Sequence, residues 1–368
     1  MKILIVSGSF YPGNAPRSYR TTELAKELVR QGHQVKVIFP DNDYDYSGWS
    51  ETFSSLIIAP TKEIKWTTIE LKGNKLVYWV RRVFRRLLQL FCEYPSIEWY
   101  VKIPQILKYE KKYDLLISIA VPHPIHWGIA RYLKKRRELT KVWVADCGDP
   151  FMGCKTDSFK HPFYFSWLEK FFCKYADYIT IPVESAKEGY YAAFYHKIRV
   201  IPQGFNFDEV ELEEYVLNEP ISFCYAGGFI PGLRDPRPIL ETLIEMKVDF
   251  RFYVFANQKD LFSGYIETLR GKLIIQEYIP RLELIRFMST MDFLLNIENG
   301  GTSVQIPSKL IDYSLAKRPI LSLNSQNLEK QKLNEFLNRD YRRQYMIGNM
   351  KSYDIKNVVN AFISLVKL

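Results

Sequence analysis

The stretch "KILIVSGSFYPGNAPRSYRTTELAKELVRQGHQVKVIFP", residues 2–40, decides the fold class. Its two ends, residues 2–8 and 34–40, are apolar runs typical of strands that are buried on both faces of a parallel sheet. Between them, residues 20–33 carry apolar side chains at helical spacing and end around Gly32, a residue type common at helix C-termini. A strand, a helix and a strand joined by short loops predict a doubly wound α/β fold with a parallel sheet.

The same alternation continues along the chain and restarts after residue 220. At 368 residues the chain is longer than one hydrophobic core usually supports, so we expect two domains. We predict an N-terminal Rossmann-like domain over 1–205, a linker over the acidic stretch 206–220, a second Rossmann-like domain over 221–350 and, over 351–368, a C-terminal helix that could cross back to the first domain. The further predicted strands are residues 114–120, 141–149, 178–183, 221–227, 250–256, 272–279 and 292–298. The further predicted helices are residues 124–138, 237–246 and 281–291.

The composition limits the class of protein. It is 47% hydrophobic and 25% charged, which is typical of a globular chain. Five cysteines are scattered without paired spacing, so the sequence predicts neither a disulfide framework nor a zinc site. The apolar N-terminal run is too short for a signal peptide and no run of 18 apolar residues exists, so we expect a cytoplasmic protein.

A net charge of +10 favours anionic partners. The positive charge is concentrated in residues 75–91 and 130–141. In the first of these, apolar side chains recur at helical spacing and four arginines lie on the other side. Such a helix either binds an anionic membrane surface, at the inner face of the cytoplasmic membrane, or packs on its own domain with a solvated arginine face. No basic and aromatic pattern of the RNA-binding type appears, so we expect no nucleic-acid partner.

Ligands bind at the carboxyl ends of strands in doubly wound sheets, so the loops at those ends are the ones to examine. After the first predicted strand, Gly8 and Gly13 give a permissive loop that leads into a helix N-terminus, a site suited to an anion or a polar acceptor. The loop has neither the GxGxxG nor the Walker pattern, which disfavours dinucleotide and triphosphate sites. At the end of the strand that runs over 141–146, Asp146 and Asp149 either cap a turn or a helix or face a ligand.

One loop of the second predicted domain carries both glycines and cations. Gly227 and Gly228 would let the backbone approach a ligand closely. Arg234 and Arg237 stand just before a predicted helix, where guanidinium groups could clamp a phosphate.

The segment "GTSVQIPSKLIDYSLAKRPIL", residues 301–321, carries a second pair of polar residues. Lys309 and Asp312 lie three residues apart at the start of a predicted helix and therefore share one face. They form either an intrahelical salt bridge on the surface, which would contribute little, or two contacts to one ligand.

The order and spacing of these segments resemble bacterial glycosyltransferases of the GT-B fold, family 4-like, over nearly the whole chain. The resemblance implies two Rossmann-like domains facing a cleft, a nucleotide diphosphate sugar as donor, and a glycan or polyprenyl-linked acceptor in capsule, O-antigen or exopolysaccharide synthesis. It also implies retention at the anomeric carbon, with no metal and no cofactor beyond the donor substrate. The matching segments are residues 10–38, 114–135, 143–151, 197–206, 223–243 and 296–321.

The resemblance assigns the donor to the C-terminal half. It implies that Arg234, with Arg237 in reserve, and Lys309 neutralise the diphosphate, and that Asp312 holds the ribose hydroxyls. Ser308 and the two glycines of the 227–228 turn complete the implied donor site. The implied catalytic groups are Asp149, Arg234 and Lys309.

The chain departs from the family pattern at two positions. Many members carry a glutamate where this chain has Val304, so Glu298 or the backbone of residues 300–303 would contact the sugar instead. Many members also have a histidine near "DCGDP", where Asp149 is the candidate here. The acceptor-side candidates are Gly13, Arg17, His123 and His126, although a lone histidine is more often a structural hydrogen-bonding group.

Residues 41–51 contain three aspartates in alternation, which raises the question of a metal. A calcium loop is disfavoured because Tyr46 occupies the sixth position and Thr52 the twelfth. A catalytic DxD motif conflicts with the implied metal-free site, so we interpret the segment as a solvated loop. Two rival functions remain open: a nucleotide-sugar epimerase of the same fold, and a non-catalytic membrane-associated scaffold of a polysaccharide assembly complex.

Overall fold

The computed structural model describes residues 1–13, 15–154, 160–298 and 308–367. The chain divides into two units, the first formed by Met1–Phe205 with Ser352–Leu368 and the second by Asn206–Lys351. Each unit is built on its own parallel sheet, which confirms the predicted pair of Rossmann-like folds. Residues 206–220 contain no helix or strand and belong to the second unit, where Tyr215 donates a hydrogen bond to Asp292 at 2.6 Å.

The first sheet has the spatial order β3-β2-β1-β4-β5-β6-β7 and the second the order β10-β9-β8-β11-β12. The strands of the first sheet are β1 (Lys2–Ser7), β2 (Gln34–Pro40), β3 (Leu56–Thr61), β4 (Tyr113–Ile119), β5 (Thr140–Asp146), β6 (Tyr178–Ile181) and β7 (Ile198–Val200). The strands of the second sheet are β8 (Ile221–Ala226), β9 (Phe250–Phe255), β10 (Leu273–Gln276), β11 (Phe293–Ile297) and β12 (Ile320–Leu323). The helices are α1 (Pro16–Arg30), α2 (Trp49–Thr52), α3 (Lys75–Cys92), α4 (Glu98–Ile106), α5 (Pro124–Leu133), α6 (Phe165–Tyr175), α7 (Arg237–Glu245), α8 (Arg281–Ser289), α9 (Ser308–Leu315), α10 (Lys330–Leu337) and α11 (Ile355–Lys367).

The apolar runs become central strands because helices cover both faces of each sheet. In β1 every residue after Lys2 is buried, and Ile5 pairs with Val37 on one side and Ile117 on the other. Helix α1 starts with Pro16, whose missing N–H and fixed φ suit the first helical position. It ends at Arg30, two residues before Gly32, whose φ of +81° favours glycine.

The last helix, α11, belongs to the first unit. Its apolar side chains pack in the same core as those of β1 and α1, and the Arg20 guanidinium lies 5.2 Å from the Phe362 ring centroid. The segment at Phe205, where the chain leaves the first unit, lies beside the segment at Tyr353 and Ile355, where it returns. The Phe205 amide donates to the Tyr353 carbonyl and the Ile355 amide donates to the Phe205 carbonyl, both at 2.8 Å. The core residues that α11 contributes are Ile355, Val358, Val359, Phe362 and Leu365.

Helix α3 forms as predicted, with the Asn74 side chain accepting a hydrogen bond from the Val77 amide at 3.0 Å. None of its residues is buried. The alternative in which its apolar face packs on its own domain is therefore wrong. No described helix is both long and apolar enough to cross a membrane.

The strand order fixes where ligand-binding loops meet. The order reverses beside β1 in the first sheet, whose neighbours are β2 and β4, and beside β8 in the second, whose neighbours are β9 and β11. In doubly wound sheets such reversal points leave a crevice at the carboxyl ends of the strands. The loops after β1, β8 and β11 are therefore the ones positioned to hold ligands.

Candidate functional site

Lys309 lies on the first turn of α9, beside the carboxyl end of β11. Its Nζ donates to the Ile297 carbonyl at 3.5 Å and lies 4.7 Å from the Tyr225 ring centroid. Burial and, to a smaller extent, the nearby Arg234 lower the pKa of Lys309 to about 7. Among the described residues, Lys309 forms no ion pair with a carboxylate. The charged form of a partly buried lysine next to another cation is unfavourable in free energy, and an anion bound between the two cations would remove this cost.

Arg234, the first candidate for the diphosphate, and Arg237, the reserve candidate, have different environments. The Arg234 Nε is buried and has no hydrogen-bond partner in the described part of the chain. The Arg237 guanidinium is exposed and already paired, since its Nε donates to Asp235 at 2.9 Å and its Nη2 donates to the second carboxylate oxygen. This pairing lowers the pKa of Asp235. Arg234 is thus the arginine with unused hydrogen-bonding capacity, and the reserve role for Arg237 has no support.

Asp312 does not pair with Lys309. Its Oδ1 accepts hydrogen bonds from the Nε of Arg281 at 2.8 Å and from its Nη2 at 2.6 Å. The Asp312 side chain remains 17% exposed, burial raises the pKa of its carboxyl, and Arg281 opposes that rise. The intrahelical salt bridge, one of our two alternatives, is therefore absent. Sequence reasoning missed Arg281, whose only signal was its position at the start of a helix.

The glycine turn after β8 borders Lys309. Gly227 has a φ of +138°, which requires glycine, and a Cβ built there would lie 3.8 Å from the Lys309 Cδ. The Tyr225 hydroxyl donates to the Gly228 carbonyl at 3.0 Å, which fixes the ring next to the ammonium. Glu298 follows β11, is exposed, and accepts a hydrogen bond from Ser322 at 2.9 Å. The Ser308 side chain and the predicted sugar-contacting backbone of 300–303, with Val304, lie outside the described residues.

In the first unit, Asp146 at the end of β5 organises two arginines. Its oxygens accept hydrogen bonds from Arg20 at 2.9 and 3.1 Å and from Thr180 at 2.7 Å, while Arg17 lies 3.5 Å away. Arg17 also lies against Gly148, where a Cβ would come within 2.3 Å of its Nη2. Burial lowers the pKa of Arg17 and Asp146 opposes this shift. Asp146 is thus a buried anchor, and Arg17 is held at the edge where the sheet's loops meet.

The two histidines are structural. The His123 Nε2 donates to the Asp149 carbonyl at 3.1 Å, and burial lowers the pKa of His123 to about 4. His126 is fully buried, with Nδ1 2.8 Å from the Ser118 hydroxyl and Nε2 3.4 Å from the Cys147 thiol. A fully buried ring cannot contact an acceptor, so the acceptor-side prediction for His126 is wrong. His123, also buried, supports the backbone of the loop that carries Asp149.

Two other predicted residues lie at the edge of the first sheet. Asp149 is exposed, and its carboxylate lies close enough to Arg17 to oppose the lowering of the Arg17 pKa by burial. Gly13 permits tight packing, because a Cβ there would lie 2.8 Å from the Ser18 hydroxyl. A buried glutamate that sequence reasoning missed, Glu169, accepts a hydrogen bond from the Phe151 amide at 3.1 Å and thereby holds the same loop.

The aspartates of 41–51 are exposed, and Asp45 accepts hydrogen bonds from the Ser47 amide and hydroxyl at 2.9 and 3.0 Å. Within the described ranges, no group of three or more His, Cys, Asp or Glu side chains is arranged to hold a metal ion. The exposure of these aspartates agrees with the predicted solvated loop.

Comparisons with known proteins show the family and the fold of the chain. The family model described as Glycosyltransferase Family 4 matches residues 18–209. A search of curated protein sequences found no match.

Among solved structures, the lipopolysaccharide outer core galactosyltransferase WaaB, in its apo form, is similar with a TM-score of 0.60 and 12% identity over 100% of both chains. Sucrose-phosphate synthase from Thermosynechococcus elongatus has a TM-score of 0.55 and 10% identity over 100% of this chain and 94% of that one. UDP-GlcNAc 2-epimerase from Neisseria meningitidis, bound to UDP-GlcNAc, has a TM-score of 0.56 and 12% identity over 100% of both chains. At these identities the likeness concerns the fold alone.

Proposed function

The chain belongs to glycosyltransferase family 4, and we propose that it transfers a sugar from a nucleotide diphosphate sugar to a glycan or polyprenyl-linked acceptor during surface polysaccharide synthesis. The proposed transfer retains the anomeric configuration and uses no metal ion. One observation carries the proposal. Lys309 and Arg234 lie near each other at the edge of the second sheet, and neither forms an ion pair with a described carboxylate.

These two cations suit a diphosphate leaving group. As the bond from the sugar to the diphosphate breaks, negative charge grows on the phosphate oxygens, and preorganised cations stabilise it more than they stabilise the ground state. A diphosphate next to Lys309 would raise its pKa again and keep the ammonium protonated. Gly227 has no side chain, which would let the phosphates approach the amides of the turn.

The pair formed by Asp312 and Arg281 suits the ribose. A carboxylate can accept hydrogen bonds from two vicinal hydroxyls, and Arg281 occupies Oδ1 in a way that fixes the orientation of the group. In this proposal Asp312 binds the sugar of the nucleoside and Arg281 is a positioning residue.

The acceptor would bind the first unit. Retention is compatible with a mechanism in which an oxygen of the departing phosphate takes the proton from the acceptor hydroxyl as that hydroxyl attacks the anomeric carbon. Asp149 would orient the acceptor or stabilise positive charge on the donor sugar. Arg17, held by Asp146, would bind an anionic group of the acceptor, such as the phosphate of a polyprenyl carrier.

Calorimetric titration of the purified protein with UDP, GDP, ADP and CMP tests the donor site. We expect one nucleotide to bind, and Lys309→Met and Asp312→Asn to weaken its binding at least tenfold. Arg237→Met is the matched control, because that guanidinium is already paired and its loss should change the Kd less than threefold. Failure of a folded sample to bind any of the four nucleotides would contradict the transferase and favour a scaffold.

An assay of donor turnover distinguishes the transferase from the epimerase. With the matching nucleotide sugar, a transferase consumes the donor only when an acceptor is added, apart from slow hydrolysis. Conversion of the donor to an isomeric nucleotide sugar without acceptor would identify an epimerase instead. The anomeric configuration of the product, read from its proton coupling constants, tests retention.

We also propose that α3 binds an anionic membrane surface at the inner face of the cytoplasmic membrane. Its apolar side chains from Leu76 to Leu87, and Phe91, are exposed, and the same helix carries four arginines whose charge would attract lipid phosphates. The exposed Phe163 and Trp167 lie next to its C-terminal end, because the intervening Tyr164 donates its hydroxyl proton to the Phe91 carbonyl. Such a surface would bring the enzyme to a lipid-linked acceptor. The arginines are Arg81, Arg82, Arg85 and Arg86.

Vesicle sedimentation tests this surface. Vesicles that contain phosphatidylglycerol should bind the protein, and vesicles of phosphatidylcholine alone should bind it far less. The double substitution Phe84→Ser with Leu87→Ser should abolish sedimentation, while Tyr109→Ser, at an exposed aromatic outside α3, should not change it. Equal binding to both kinds of vesicle, or none, would contradict the proposal.

A further inference from the structure

A cluster of aromatic rings joins the loops that follow β1 and β2. These strands are neighbours in parallel, so both loops leave the same edge of the first sheet. The rings form a gradient of exposure: Phe10 is buried, Trp49 is half-buried, and Tyr11 and Tyr44 are 38% and 39% exposed. The Tyr11 and Tyr44 ring centroids lie 5.2 Å apart, and those of Tyr11 and Trp49 lie 5.3 Å apart.

Hydrogen bonds fix the exposed part of this cluster. The Asn42 side-chain amide donates to the Tyr11 carbonyl at 2.9 Å and to the Tyr46 hydroxyl at 3.0 Å, and the Tyr46 hydroxyl donates to the same carbonyl. A hydrogen bond with Tyr11 also raises the pKa of the Tyr44 hydroxyl. Because the two loops are tied together, the outer tyrosines are preorganised, and a ligand would not have to order them.

The charge around the rings selects the ligand. Asp43 and Asp45 are exposed on the same loop as Tyr44, so an anion is disfavoured there. Carboxylates accept hydrogen bonds from hydroxyl groups, and the electron-rich face of a tyrosine attracts polarised C–H groups. A pyranose ring offers both features, with C–H groups on its face and hydroxyls around its rim.

We propose that Tyr11 and Tyr44 form a binding site for a neutral pyranose ring of the acceptor. The inference rests on the proposed transfer reaction and specifies its acceptor: a carbohydrate whose terminal part, at the tyrosines, is uncharged. The tyrosine hydroxyls and the loop carboxylates take the sugar hydroxyls, and the rings take its C–H face. The site lies in the first unit, separate from the cations of the donor site in the second.

Saturation-transfer-difference NMR of the full chain tests the site, with the methyl glycosides of glucose, galactose, mannose and N-acetylglucosamine as probes. At least one glycoside should give signals that are strongest on the protons of one ring face. Loss of one aromatic contact is expected to raise its Kd about five- to tenfold in Tyr44→Ser. Tyr44→Phe should keep most of the affinity, because the ring remains.

The matched control is Tyr109→Ser, since Tyr109 is 78% exposed and precedes β4, at the amino ends of the strands, whereas Tyr11 and Tyr44 follow carboxyl ends. Unchanged glycoside binding in Tyr44→Ser, or the same loss in Tyr109→Ser, would overturn the site, as would the absence of signals from every glycoside. Nucleotide calorimetry on the same samples separates the two proposals. Nucleotide binding without glycoside binding would overturn the aromatic site alone, whereas the loss of both would overturn the transferase as well.

Discussion

The depressed pKa of Lys309 predicts a pH dependence of nucleotide binding that one substitution should remove. In the free protein the ammonium loses its proton near pH 7 because burial and Arg234 destabilise its charge. A bound diphosphate restores the proton. The protonated form binds, so affinity is highest below the pKa of the free protein and falls as pH rises above it.

The size of the effect follows from the fraction of protonated Lys309. With a pKa of about 7 in the free protein, affinity should fall nearly tenfold per pH unit at higher pH. Between pH 7.0 and 8.5 this amounts to a loss of about 15-fold. The second ionisation of a phosphate, with a pKa of about 6, is largely complete in this range and adds little slope.

Calorimetry with the nucleotide that binds, at constant ionic strength across this pH range, measures the slope. Repeating the titration in buffers of different ionisation enthalpy should show an uptake of about half a proton per nucleotide at pH 7. Lys309→Met should bind more weakly and with a flat profile, whereas Arg237→Met should keep the slope. A flat profile in the unsubstituted protein, or a slope that persists in Lys309→Met, would refute the reasoning.

Three further substitutions have defined outcomes. Arg281→Met should weaken nucleotide binding three- to tenfold in calorimetry, because Asp312 loses the group that orients it and the cation that opposes the rise of its pKa. Burial raises the pKa of the Glu169 carboxyl from its ordinary value of 4.5 to about 7. Between these two pH values folding takes up a proton, so the stability of the folded protein falls as pH rises from 4.5 to 7. Glu169→Gln should therefore flatten the pH profile of the melting temperature. Gly148→Ala would put a methyl group 2.3 Å from the present Arg17 Nη2, and the displaced arginine should reduce acceptor-dependent transfer at least tenfold while nucleotide affinity changes less than twofold.

The central strands were predictable because burial on both faces leaves an unambiguous signal. Residues 34–40 form β2 with the predicted bounds, and the predicted strand at 250–256 ends one residue early as β9. Parallel strands between helices must be apolar throughout, so local sequence and tertiary position agree. The same holds for α1, whose end is marked by Gly32.

Elements at the edges were harder to predict. Strand β3 lies at the edge of the first sheet, contains a proline and is only partly buried, so its apolar signal is weak. Helix α6 is rich in aromatic residues and buries Glu169, which obscures its polar face. The predicted helix over 124–138 ends at Leu133, because the basic residues that follow leave the core.

The sequence indicates cations and a carboxylate for the candidate donor site but not their pairings. Arg234 precedes α7 and Arg237 begins it, and only the structure shows that Asp235 pairs with Arg237. Arg281 reaches Asp312 across a sequence distance that no local pattern records. The lowered pKa of Lys309 depends on tertiary burial and on Arg234, so the sequence could indicate a cation there but not its titration.

The return of α11 to the first unit has a consequence for synthesis on the ribosome. The whole second unit is translated between Phe205 and Ser352, so the strands of the first unit leave the exit tunnel long before the helix that completes their core. At elongation rates of about 5–20 residues per second this interval is on the order of ten seconds. During that time the apolar side chains around Ile3 and Leu24 that α11 will cover face water or a chaperone, while the second unit, continuous in sequence, can already fold.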